Sequence, residues 1–103
     1  MSEPMRIRAT LQGDVADVRI LMRHPMETGL RKDAQGQIVP AHFIQNVTVA
    51  HNGKPVLNAQ WGPAIAKNPF LSFKFKGGAK GDKIEITWVD SRGEKRTDEA
   101  VIA

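Results

Sequence analysis

Three histidines and a complete lack of cysteine set the limits of what this chain can do chemically. His24, His42 and His51 could form a three-nitrogen zinc site with an open fourth position if the fold gathered them. No two of them stand at the i, i+2 or i+4 spacing of a metal motif. His51 also lies beside Asn52-Gly53, a turn signal. The spacing therefore predicts surface or loop histidines and no metal. Asp14, Asp17, Glu27 and Asp33 fall where turn or solvent roles suffice, so no acid/base pair stands out. No G-x-S-x-G nucleophile elbow occurs. "KGGAKGD" lacks the Gly-Lys-Ser/Thr ending of a phosphate loop and precedes a strand pattern where that loop would open a helix. It reads as a connector. Without cysteine there is no disulfide, thiol nucleophile or covalent thiol carrier in this chain.

The elements that must hold these residues are strands. The 103 residues fit one domain, 1–103, with a composition of 41% hydrophobic and 25% charged residues that suits a single globular core. Met5, Ile7, Ala9 and Leu11 alternate with Arg6, Arg8 and Thr10, the period of a half-buried strand. Gly13-Asp14 suits a hairpin turn into a second strand with Val18, Ile20 and Met22 inward and Leu21 off pattern. Phe43 to Ala50 reads as a third strand, in which Ile44 breaks the alternation of Val47 and Val49. Asn52-Gly53 suits a type I′ turn into Val56–Gln60, and Pro55 places that strand at an edge. Leu71, Phe73 and Phe75 alternate in a fifth strand, and Ile84, Ile86 and Trp88 in a sixth. A weaker seventh starts at Lys95. No segment shows a convincing 3.6-residue period. Seven short strands with frequent turn signals predict an all-β, immunoglobulin-like antiparallel sandwich. Phe73, Phe75 and Trp88 are the expected core anchors, each contributing about 1.5–3 kcal/mol on burial.

Two connections carry more than a connection needs. "HPMETGLRKDAQGQIVP" (24–40) is long for a sandwich loop and sets apolar Met26 and Leu30 beside charge. "WGPAIAKNPF" (61–70) carries Trp61, Ile65 and Phe70. Both suit either plugs for the sandwich ends or a partner surface. The candidate contact residues are His24, Pro25, Met26, Glu27, Thr28, Gly29 and Leu30 in the first, with Trp61, Ile65, Asn68, Pro69 and Phe70 in the second. The net charge of +4 and the pI of about 9.8 favour acidic partners. Arg6, Arg8, Lys74, Lys76 and Lys83 occupy the polar sides of strands and read as a solvated face. Phe73, Phe75 and Trp88 take the opposite parity, so the face lacks the interleaved aromatics of a nucleic-acid platform. "MSEPMRIRATL" lacks the apolar run of a signal peptide, and no stretch approaches the length of a membrane span. These residues alone predict a cytoplasmic protein, with a stand-alone basic β-sandwich binding module, for protein or nucleic acid, as one reading of function.

"HPMETGLRKD…G…VPAHFI", "NGKPV", "WGPAIAKNPFLSFKFKG" and "GDKIEITWVDSRG" together resemble the Z subunit of the SoxYZ thiosulfate-oxidation carrier, in order, from about Met5 to Arg96. Ala66 departs from the serine expected before Lys-Asn-Pro. The resemblance implies an immunoglobulin-like sandwich without catalytic residues or cofactor. It also implies a heterodimer with the Y subunit, SoxY, which bears sulfur intermediates on a cysteine in a Gly-Gly-Cys-Gly-Gly arm. A chain without cysteine fits the Z role. Transient contacts with other Sox enzymes follow, with neither nucleic acid nor membrane as partner. Localisation becomes periplasmic, by co-export with the signal-bearing partner.

Overall fold

The computed structural model describes residues 3–103, so the first two residues of the N-terminal stretch read above lie outside the described residues. Seven strands form two antiparallel sheets: β1 (Arg6–Gln12), β2 (Val15–Leu21), β3 (Ile44–His51), β4 (Lys54–Gln60), β5 (Phe70–Lys76), β6 (Lys83–Asp90) and β7 (Lys95–Val101). One sheet runs β1-β2-β5 and the other β4-β3-β6-β7, the strand order of an immunoglobulin-like sandwich. Period-two alternation dictates this arrangement. On β6, Ile84, Ile86 and Trp88 are buried while Lys83, Glu85 and Thr87 face outward.

Two irregularities of the sequence become bulges. Ile44 shares a face with Val47 and Val49 because the β3–β6 register shifts between Ile44 and Asn46. The β3–β4 register shifts at Val49/Ala50 opposite Pro55, on a strand that is an edge. The core differs from expectation in one respect. Trp88 is fully buried, but Phe73 and Phe75 are only half-buried, because β5 is an edge strand whose inward side chains are covered from one side. The fully buried large side chains are Ile20, Met22, Ile44, Ile84, Ile86 and Ile102 beside Trp88.

The two flanks of the sandwich are unequal. Beside β1 the chain end closes the edge: Leu11 N–H donates to the Ala103 carbonyl and Ala103 N–H to the Ala9 carbonyl, both at 2.9 Å. Met5 N–H donates to Asp98 of β7. The molecule is elongated, 53 × 21 × 21 Å, with a radius of gyration of 15.4 Å, against about 13 Å for a compact chain of 100 residues. A strand of eight residues spans only about 27 Å. Residues 22–43 join β2 to β3 and lie outside both sheets.

Candidate functional site

Residues 27–42 form a two-stranded ribbon rather than an open loop. Glu27 and His42 exchange backbone hydrogen bonds at its base, at 2.7 and 2.9 Å. Further out, Val39 N–H donates to the Arg31 carbonyl and Asp33 N–H to the Gln37 carbonyl, bracketing a Lys32–Ile38 bridge. Asp33 builds the tip: its Oδ1 accepts from the backbone N–H of Gln35 and of Gln37, while Gly36 supplies a φ of +78°. At the base, Gly29 has a φ of +86°, and a Cβ there would approach that of Ala41 to 3.2 Å, so glycine lets the two sides of the ribbon close together. Arg31 reaches back to Glu27 with a bidentate contact from Nε at 3.0 Å, which holds the Glu27 carboxyl below its usual range.

One buried carboxylate ties this arm to the sandwich. Asp90 ends β6, and only 2% of it is exposed. Its Oδ1 accepts from the N–H of Arg92 at 3.0 Å and of Glu94 at 2.9 Å, which shapes the β6–β7 turn. Its Oδ2 lies 3.0 Å from Nε2 of His24 and 2.6 Å from Nε2 of His42. His24 enters the arm and His42 leaves it, so Asp90 grips both ends. The neighbouring Trp88 ring meets His24 edge-on at 5.1 Å. Burial pushes the Asp90 carboxyl up, but the bonds from His24, His42 and the Glu94 and Arg92 amides outweigh this and hold it below the usual carboxylate range. An ionised carboxylate only accepts, so both Nε2 atoms carry the hydrogen and donate.

The histidine reading is therefore corrected: His24 is buried, His42 is half-buried, and both are structural partners of Asp90 at the end of β6. His51 stands apart, bonded to Asp82 at 2.7 Å. Donor atoms of His24, His42 and Asp90 lie within 4.8 Å of one another, which is close enough for metal ligands. The tautomer opposes that use. Met26 N–H donates to His24 Nδ1 at 3.1 Å, so His24 cannot place its hydrogen on Nδ1 and free Nε2 for a metal. The trio is a hydrogen-bonded clamp.

The two stretches singled out as partner surface are brought together. Asn68 holds His24 from both sides: its Oδ1 accepts from His24 N–H at 3.1 Å, and its N–H donates to the His24 carbonyl at 3.0 Å. Pro69 accepts from Met22 N–H. A groove of about 620 Å³ runs between the arm base and the second stretch, with Pro25, Glu27 and Thr28 on one wall and Pro63, Ile65 and Lys67 on the other. His24, Met26 and Pro69 are buried in the isolated chain. Met26 is at φ +49°, with its sulfur 3.3 Å from Ile44 N. Glu27, Gly29, Trp61, Ile65 and Asn68 are half-buried, and Pro25, Thr28, Leu30 and Phe70 are exposed. Sequence reasoning missed Ile38, which stands 61% exposed on the arm near Leu30 at 84%. Its pairing with Lys32 was hidden until the ribbon was seen.

The clamp has a pH signature. The folded Asp90 carboxyl titrates below its unfolded value, so the native state binds fewer protons in acid than the unfolded state. Its contribution is complete above the ordinary carboxylate range and is lost as pH falls through the lower folded value. Asp98 acts in the same direction: burial raises it, and the bonds from Arg96 and Met5 N–H more than reverse that. Thermal melts should hold steady down to about pH 5 and fall below about pH 4. Asp90→Asn should make that acid limb shallower.

Comparison with solved structures sets the class first. The chain superposes on the hypothetical protein PH1083 from Pyrococcus horikoshii OT3 at a TM-score of 0.66 with 16% identity, covering 99% of this chain and 89% of that one. The superoxide reductase from Nanoarchaeum equitans matches at 0.66 with 15% identity over 97% of this chain and 92% of that one. At such identities the likeness defines an all-β sandwich fold and nothing more. No curated protein matches the sequence. The family described as sulphur oxidation protein SoxZ matches residues 5–101, and the chain belongs to that family, a subunit of the Sox sulfur-oxidation system.

Proposed function

We propose that this chain is the non-catalytic subunit of a SoxYZ-type carrier: it heterodimerises with the cysteine-bearing SoxY subunit, stabilises it, and helps present its sulfur-bearing arm to the Sox enzymes. The observation that carries this reading is the clamped ribbon. A chain that only had to close a sandwich end would not brace both ends of a 16-residue projection on one buried carboxylate and leave Leu30 and Ile38 in water at its far part. The groove beside the arm base extends the same surface. The absence of cysteine leaves the covalent step to the partner. The complex works in the periplasm, reached by export with the partner. Transient contacts with the other Sox enzymes are made by the assembled pair. Co-expression of the untagged chain with the SoxY subunit tests this: a stable one-to-one complex by size exclusion with light scattering is expected, and a chain that stays monomeric beside folded SoxY contradicts it.

A further inference from the structure

We propose that the outer face of the β1-β2-β5 sheet is a second contact surface that docks an acidic patch of the same SoxY partner, an inference that rests on the heterodimer reading. The register fixes what this face presents. Arg8 lies opposite Arg19, Asp17 opposite Lys74, and Val15 opposite Lys76, with Arg6 one row away beside Leu21. Five cations, Arg6, Arg8, Arg19, Lys74 and Lys76, surround one carboxylate, Asp17. The net of +4 equals that of the whole chain, so the charge excess is concentrated here. Lys83, grouped with these cations on sequence parity, lies on the other sheet.

That other sheet shows what a merely solvated face looks like. Lys83 bridges Glu99 at 2.9 Å and Glu85 at 3.7 Å, and Thr87 bonds Thr97 at 3.0 Å across the strands. Lys83 is thus matched within the chain, although Lys54 and Lys95 of the same sheet have no carboxylate partner among the described residues. On the basic face the one pair is Arg19–Asp17 at 3.4 Å, and among the described residues Arg6, Arg8, Lys74 and Lys76 have no carboxylate partner. Asp17 is 5% exposed, and its Oδ1 has no hydrogen-bond partner. A buried acceptor left open costs free energy unless a donor arrives.

The occupant that fits is an acidic protein surface. A protein surface offers carboxylates at discrete positions for the unpaired Arg6, Arg8, Lys74 and Lys76. The face also carries a single aromatic, Phe70, at one corner next to Leu21, which is not the series of rings that stacks bases. Phe70 is 62% exposed and closes the second stretch of the groove region, so the basic face is continuous with the surface described above.

The test is the association rate with purified SoxY across a salt series. Matched interface charges accelerate encounter and lose this effect in salt. The double variant Arg8→Glu/Lys74→Glu should associate about tenfold or more slowly at low salt, and the control Lys80→Glu/Lys95→Glu about twofold or less, both melting near the parent temperature. The parent's rate should fall steeply with salt even if a variant misfolds. Equal effects of face and control variants, or a salt-independent parent rate, overturn the proposal while leaving the heterodimer intact. Face-dependent binding of a DNA duplex without any effect on SoxY association assigns the face to nucleic acid and also overturns it. A parent chain that never binds SoxY removes the heterodimer reading and this proposal with it, and is told apart by the missing complex.

Discussion

Replacing Asp90 with alanine is expected to destabilise the domain by about 2–4 kcal/mol, since it removes a buried charged acceptor and leaves the donors that met it without a partner. The His24 side chain is 2% exposed, so its Nε2–H is the donor least readily rehydrated when the carboxylate goes, while His42 and the turn amides of Arg92 and Glu94 are nearer to solvent. For a domain with about 5–15 kcal/mol of total stability, this is a large fraction. Asp90→Asn should recover little of it. Its Oδ1 can keep the two turn bonds, but its amide N–H₂ group would confront two imidazole donors. His24 cannot switch tautomer to accept, because Met26 N–H already occupies Nδ1. Urea unfolding gives the magnitude. Trypsin cleavage after Arg31 and Lys32 gives the locality, since a freed arm should be cut faster before the sandwich unfolds. A loss below about 1 kcal/mol, at the level of an ordinary neutral hydrogen bond, would make the clamp incidental.

Leu30→Asp combined with Ile38→Asp is expected to weaken the SoxY complex by about 2 kcal/mol or more, roughly a 30-fold rise in Kd, with little change in the stability of the isolated chain. Both side chains stand mostly in water in the isolated chain, so charge there costs little until a partner must cover it. Met26 is the wrong place for this test, although it flanks the arm in the sequence. It is 5% exposed and packs into the core, so an aspartate there would disrupt the arm base and report on folding. Titration calorimetry of the double variant against SoxY, with a thermal melt of the chain alone, separates the two effects.

The strands were legible because each depends on neighbours two residues away. Val18, Ile20 and Met22 point inward as their alternation requires, and the Gly13-Asp14 and Asn52-Gly53 turns fall between the paired strands. Ile44 and Pro55 announced irregularities that a bulge and an edge position explain. The half-burial of Phe73 and Phe75 was not legible, since alternation reports which face a residue takes but not whether a further strand covers it. The clamp was legible only in part. An aspartate opening "DSRGE" fits a side chain that caps its own turn, as Oδ1 does. That Oδ2 would meet His24 and His42 depends on the β3–β6 pairing, which sets Ile44 against Asp90 and so brings residues 48 and 66 positions apart to one carboxylate. In the same way, the length of "HPMETGLRKDAQGQIVP" suggested function, while its ribbon pairing depended on backbone bonds that no periodic pattern encodes.

The central claim, that the clamped arm is the element this chain gives to its partner, is tested most directly by hydrogen exchange over residues 24–42, with and without SoxY. The account predicts that amides of the outer arm, Leu30 through Val39, exchange readily in the isolated chain and become strongly protected in the complex, while amides at the β6–β7 turn are already slow in both. An arm that exchanges equally fast in the two states would contradict it.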